Sequence, residues 1–82
     1  MDYQKIIEKH KVGTVAVKQA LHYFHGLTIT KIAAISGSHR RNAYAHIMAP
    51  KGTEVKAWDK RYESEKWNAI EAGEEIVNAL PE

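Results

Sequence analysis

TITKIAAISGSHRRNAYAHIMA, residues 28–49, decides how the rest of the chain is read. Ile29, Ile32, Ala33 and Ser36 keep helical spacing, and Gly37 then interrupts the pattern. Glycine adopts the left-handed conformation that ends a helix without a steric penalty, so the first helix is expected to stop there. Ser38 can cap a second helix, whose inward face has two possible registers. With Tyr44, Ile47 and Met48 inward, His39, Asn42 and His46 turn outward and Arg40 and Arg41 lie on the flanks. With Ala43 and Ile47 inward, the exposed set is Arg41, Asn42 and Ala45. Asn42 faces out in both.

A small residue, three further residues and a glycine (Ala33, Ala34-Ile35-Ser36, Gly37), followed by a polar, basic helix start, resembles the helix-turn-helix DNA-binding superfamily. The resemblance spans Thr28–Ala49, about a quarter of the chain, and points to a small phage- or plasmid-type transcriptional regulator. It implies that the alanine lets two helices cross closely and the glycine makes the corner. The second helix would then enter the major groove, with Ser38, His39, Arg40, Arg41 and Asn42 near base edges. Arginine can fork onto guanine or clamp phosphate, and asparagine carries the donor and acceptor that the adenine edge requires. Thr30 and Lys31, at the start of the preceding helix, suit a phosphate, while Thr28 is expected to cap that helix. Lys51, Lys56, Lys60 and Arg61 could extend the footprint along the backbone.

Outward from this stretch, the chain of 82 residues is long enough for one domain with one modest core. The expected class is all-α: a compact helical cluster containing the helix-turn-helix, followed from about residue 53 by a C-terminal helix or helix pair. There is no cysteine, so disulfides and thiolate metal sites are excluded. The start, MDYQKIIEKH, lacks the apolar stretch of a secretory signal, and no apolar run approaches the ~20 residues of a membrane span. A cytoplasmic setting without a membrane partner is therefore expected. Net charge is only +2, but residues 28–61 hold seven basic side chains against two acidic ones, while residues 62–82 hold one against six. Such a split suits a protein that turns one face to phosphates and keeps the other away.

Before the motif, Asp2 can cap a short helix to about His10, with Tyr3, Ile6 and Ile7 on one stripe. Val12-Gly13-Thr14 interrupts, and Thr14 can cap a second helix. There Val17, Ala20, Leu21 and Phe24 form the apolar face, Lys18, Gln19, His22 and His25 line the opposite side, and Gly26 ends it. This helix is the expected support behind the helix-turn-helix pair. An alternative placement makes Ile6–His10 and Thr14–Phe24 the helix pair; it offers only Thr14, Lys18 and Gln19 to DNA and ranks second.

After the breaker Ala49-Pro50-Lys51-Gly52, a wing hairpin is disfavoured because residues 53–72 contain no Gly or Pro. Val55, Trp58, Tyr62, Ala69, Ala72, Ile76 and Ala79 fall on a helical seam, with Ile70, Val77 and Leu80 beside it. One helix over 53–80 would span about 42 Å; it either bends near Ser64 or reaches a partner chain. Trp58, Tyr62, Trp67, Ile70, Ile76 and Val77 are thus either core that folds back on the cluster or the interface of a homodimer or another partner.

His22 and His25 share a helix face, but two further ligands are missing nearby, so no metal is expected. Glu71, Glu74 and Glu75 read as a solvent face. No activated nucleophile, phosphate loop or spaced acid–base pair appears, so neither an enzyme, a cofactor nor a small-molecule substrate is expected. The leading expectation is sequence-specific binding of double-stranded DNA. The alternative is a helical inhibitor or adaptor that grips a protein through Trp58, Tyr62 and Trp67. A weaker one is a structural role in a nucleoprotein assembly.

Overall fold

The computed structural model describes residues 2–48, 58 and 61–80. Among them are five helices and no strand: α1 (Tyr3–His10), α2 (Thr14–Tyr23), α3 (Ile29–Ser36), α4 (Arg40–Met48) and α5 (Glu63–Ala79). The protein is an all-α helical cluster. The first four helices, of eight to ten residues, are too short to persist alone in water, so packing of apolar faces has to hold them.

That packing is organised around α2, which touches α3 and α4 on one side and α5 on the other, while α1 lies on α5. Val17 and Leu21 from α2 meet Ile7, Ile32, Ile47, Ala72 and Ile76 in the main core. Ala16 and Ala20 pack with Ala69 of α5 in a second, small-residue cluster, against which Trp58 and Ile70 rest. Small side chains let α2 and α5 approach closely, and Gly73 takes this furthest. A Cβ at Gly73 would stand 2.9 Å from the His25 ring. His25 Nε2 in turn donates to the Ile70 carbonyl at 3.0 Å, fastening the end of α2 to α5.

Being surrounded changes what α2 buries. The expected solvent side of this helix is not solvent-facing: Lys18 and Gln19 are buried, and His22 and His25 are half-buried. The placement that would send Thr14, Lys18 and Gln19 to DNA is therefore excluded. Conversely Phe24, expected in the core, is 57 % exposed at the end of α2.

Local chemistry sets the helix ends. Asp2 Oδ1 accepts from the Lys5 amide at 3.2 Å, as a cap should. The chain turns left-handed at Lys11 (φ 56°), whose amide closes α1 by donating to Glu8 and Ile7 carbonyls. Thr14 does not cap α2. It is the first helical residue, and its hydroxyl lies 2.9 Å from the Tyr3 hydroxyl, tying α1 to α2.

The C-terminal seam folds back. Ala69, Ala72, Gly73 and Ile76 are buried against α1 and α2. The backbone at Tyr62 is extended (φ −60°, ψ 143°), so one uninterrupted helix over 53–80 is excluded and the break falls at Tyr62, not Ser64. Trp58 stacks on Tyr23 with ring centres 6.5 Å apart. Residues 49–57, where a wing would lie, fall outside the described residues. Lys9 and His10 of α1 meet Glu75 of α5 at 2.7 and 3.3 Å, which draws the Glu75 carboxyl below its ordinary value, Lys9 contributing most. Glu71 and Glu74 stay in solvent.

Candidate functional site

The corner between α3 and α4 is built by Gly37 at φ 71°, a conformation that strains other L residues. The Gly37 and Ser38 amides both donate to the Ala33 carbonyl, so the turn closes on the end of α3. At the other end of α3, Thr28 Oγ1 accepts from the Lys31 amide at 3.2 Å, the expected cap.

Beyond the corner, α4 begins at Arg40 and buries only Ala43 and Ile47. Of the two registers open from the sequence, this is the one with Ala43 and Ile47 inward. Tyr44, inward in the other register, is 44 % exposed. His39, Arg40, Arg41, Asn42 and Ala45 are exposed together, and the first four line an open depression. Thr30 and Lys31 are exposed at the start of α3, and Arg40 Nε donates to Thr30 Oγ1 at 3.2 Å. Of seven predicted site residues six face outward: His39, Arg40, Arg41 and Asn42 together just past the corner, Thr30 tied to them through Arg40, and Lys31 beside Thr30 in sequence. The seventh, Ser38, is not outward. It does not cap α4 but holds the inside of the turn, accepting from Lys18 Nζ at 3.1 Å and lying 3.1 Å from Ser36 Oγ. Lys51 lies outside the described residues.

Behind the corner runs a polar network that sequence patterning does not reveal. Lys18 Nζ donates both to Ser38 Oγ and, at 2.9 Å, to His46 Nδ1. A ring nitrogen that accepts from an ammonium carries no proton, so His46 is neutral here. Burial lowers the Lys18 amine from its ordinary value. Burial, and then the Lys18 charge, lower His46. Gln19 continues the chain: its Nε2 donates to the His46 carbonyl at 3.0 Å, and its Oε1 accepts from Arg61 Nε at 2.6 Å. Arg61 also pairs with Glu65 at 2.7 Å and so is held against α2 and α5, not offered to a partner backbone. Tyr23 Oη donates to the Ile47 carbonyl at 3.2 Å, so three side chains of α2 fix α4, Lys18 also at its turn and all three near its last turn.

The helices that build and back this corner carry formal charge of one sign. Between Glu8 and Glu54 there is no Asp or Glu, so α2, α3 and α4 carry no carboxylate. Lys18, Lys31, Arg40 and Arg41 sit in that span without a local counter-charge in sequence. The buried pair Lys18 and Gln19 was missed because helical periodicity assumes one wet side. The acid-free span was the available signal.

Comparison with protein-family models, characterised proteins and solved structures finds no match.

His22 and His25 do not act together: His22 Nδ1 donates to the Leu27 carbonyl at 2.9 Å, whereas His25 points to Ile70. Among the described residues no three His, Cys, Asp or Glu side chains converge as a metal site, and no helix is long and apolar enough to cross a membrane.

The expected partner surface divides. Ile76 is completely enclosed in the core and is withdrawn from it, because α5 turns that face to α1 and α2. Val77 is half-buried against the same core, and Trp58 and Ile70 against the small-residue cluster of Ala16, Ala20 and Ala69. Tyr62 and Trp67 remain 83 % and 53 % exposed. With Phe24 they border an open groove of about 660 Å³, completed by Arg61, Glu63, Lys66 and Ile70.

Proposed function

We propose that the protein binds double-stranded DNA by a helix-turn-helix made of α3 and α4, as a small sequence-specific transcriptional regulator working in the cytoplasm. The supporting observation is the outward set His39, Arg40, Arg41 and Asn42 on a corner whose own helices carry no carboxylate and which is anchored from behind by Lys18 and Gln19. In this reading Asn42 and Arg41 meet base edges, and Arg40, Thr30 and Lys31 meet phosphates. The protein acts by occupying its site, so no catalytic residue or cofactor is assigned.

Binding to duplex DNA, followed by anisotropy over a salt series, tests it. Each neutralised phosphate contributes about −0.9 to the slope of log affinity against log salt. The two charged phosphate contacts, Arg40 and Lys31, give a slope of roughly −2, and the Arg40→Ala, Arg41→Ala double variant loses about one unit of it together with the base contact of Arg41. Salt-independent binding, or a double variant with unchanged affinity, overturns the proposal. The aromatic groove favours a second reading, an inhibitor or adaptor gripping another protein. That reading leaves α4 unused and expects no retention on duplex DNA at low salt.

A further inference from the structure

Lys18 is enclosed, yet its ammonium reaches both ends of α4. It donates to Ser38 Oγ in the turn before the helix and to His46 Nδ1 near the last turn, at 3.1 and 2.9 Å. The second contact depends on the protonation state of the ring. A neutral imidazole with its proton on Nε2 offers Nδ1 as an acceptor, whereas an imidazolium is protonated on both nitrogens and has no acceptor left. The bond therefore holds with one proton between Nζ and Nδ1 and breaks when a second arrives. Among the described residues of α2, α3 and α4 no carboxylate offsets the added charge. α4 packs on α2 and α3. Of the ionisable groups on those two helices, Lys18 touches the ring, His22 is bonded to the Leu27 carbonyl, Tyr23 Oη donates to the Ile47 carbonyl, and Lys31 is exposed at the start of α3. His39, Arg40, Arg41 and Tyr44, around and on α4 itself, are exposed. Arg61, which reaches the network through Gln19, is paired with Glu65.

We propose that protonation of His46 unlatches the far end of α4 from Lys18, which makes the posture of this helix sensitive to pH. At neutral pH a single side chain spans α4 from its turn to its last turn. In acid only the Ser38 end of that span remains, and the half-buried ring turns to water. The last turn is then held by Gln19, Tyr23 and the enclosed Ile47 alone, and it opens more often. Burial, and then the Lys18 charge, lower the ring from its ordinary 6.5. The latch is therefore fully present above pH 6.5 and is lost as pH falls through the lowered value. Between those two values the unlatched population grows by up to about tenfold per pH unit. Where α4 reads DNA, a looser helix discriminates less between sequences. That consequence rests on the function proposed above, whereas the latch does not.

Amide hydrogen exchange of the whole chain, read by NMR as protection factors at about pH 7.5 and about pH 5.5, tests the latch. Protection of Ile47 and Met48 in α4 should fall severalfold more than that of Val17 and Leu21 in α2. His46→Asn places an amide oxygen where Nδ1 stands and does not titrate, so its α4 protection should be the same at both pH values. The ring also reports without any substitution: its nitrogen chemical shifts should show a proton on Nε2 and none on Nδ1 at neutral pH. Its titration should move up in Lys18→Met, which removes the neighbouring cation. Protection that falls equally in α2 and α4, or equally in the parent and His46→Asn, or a ring protonated at Nδ1 at neutral pH, overturns the latch. For the consequence, the ratio of affinities for a selected duplex and a random-sequence duplex should fall severalfold over the same pH step in the parent and stay constant in His46→Asn. A constant ratio in the parent overturns pH control of DNA reading. Retention of neither duplex at either pH, with the α4 protection still falling in acid, overturns the DNA reading and leaves the latch in place.

Discussion

Lys18→Met is expected to keep or raise stability at pH 7, although it removes the amine that links α2 to the turn and to α4. Lys18 is 2 % exposed, and among the described residues no carboxylate pairs with it. Its two hydrogen bonds contribute about 1.5–3 kcal/mol each as charge-assisted bonds, while an ammonium buried without a counter-ion costs several kcal/mol. These nearly cancel. Methionine keeps the unbranched stem and opens no cavity, and the half-buried His46 and Ser38 can bond water or Ser36 instead. We expect a change between zero and about 2 kcal/mol of added stability. Lys18→Ala removes the stem as well and should lose about 2–3 kcal/mol through the cavity. For a domain of this size 1 kcal/mol moves Tm by about 4–8 °C, so thermal melting separates the two variants by at least about 10 °C. The pH profile is the second arm. His46 titrates below its ordinary 6.5 in the fold, so its contribution to stability is present above pH 6.5 and is lost as pH falls through its lowered value. Protonation sets a second cation beside Lys18. That repulsion adds to the cost of burial, which is the larger cause and persists in Lys18→Met. The parent should therefore lose stability as pH falls below 6.5, and Lys18→Met should lose less by the Lys18 share alone. A methionine variant that melts as low as Lys18→Ala, or that loses stability below pH 6.5 as steeply as the parent, would refute the account of this network.

Gly73→Ala should cost about 1 kcal/mol, because crowding of the His25 ring at 2.9 Å outweighs the ~1 kcal/mol gained in helix propensity. In a His25→Ala background the same change should become stabilising by about that amount, and chemical denaturation reads the change of sign. Glu75→Gln should flatten the acid limb of the unfolding curve: the carboxyl is lowered from 4.5, so its contribution is present above that pH and is lost as pH falls further. An acid titration followed by circular dichroism, with the parent's limb unchanged in the variant, would count against the tie between α1 and α5. Asn42→Ala should reduce discrimination between A·T and other pairs at one position of a selected DNA site by about 1–3 kcal/mol, with little change in salt slope. A selection experiment returning the same site for both proteins would remove Asn42 from base reading.

Much of the architecture was legible because helix boundaries here obey local chemistry. Asp2, Thr28 and Gly37 act as their side chains or lack of one require, and Ile32 and Ile47 are buried where spacing puts them. What spacing could not give was the environment of α2. A helix packed on by α3, α4 and α5 has little free side, so Lys18 and Gln19 go inward despite their polarity, and the apolar Phe24 is left outside where α2 ends. The register of α4 was ambiguous for a related reason: Tyr44 is large and apolar enough to read as core, but Ala43 is small enough to let α4 lie close. Ser38 illustrates the limit of capping rules, since its hydroxyl serves a buried lysine twenty positions away in sequence.

Because α4 is held by two enclosed side chains and by hydrogen bonds from Lys18, Gln19 and Tyr23 of α2, five of its nine positions are left exposed. Arg40, Arg41, Asn42, Tyr44 and Ala45 can be exchanged wholesale while the scaffold stays put. The helix is in effect a replaceable keypad on a fixed mount, and a library randomised at those five sites should yield mostly folded proteins that differ in what they grip.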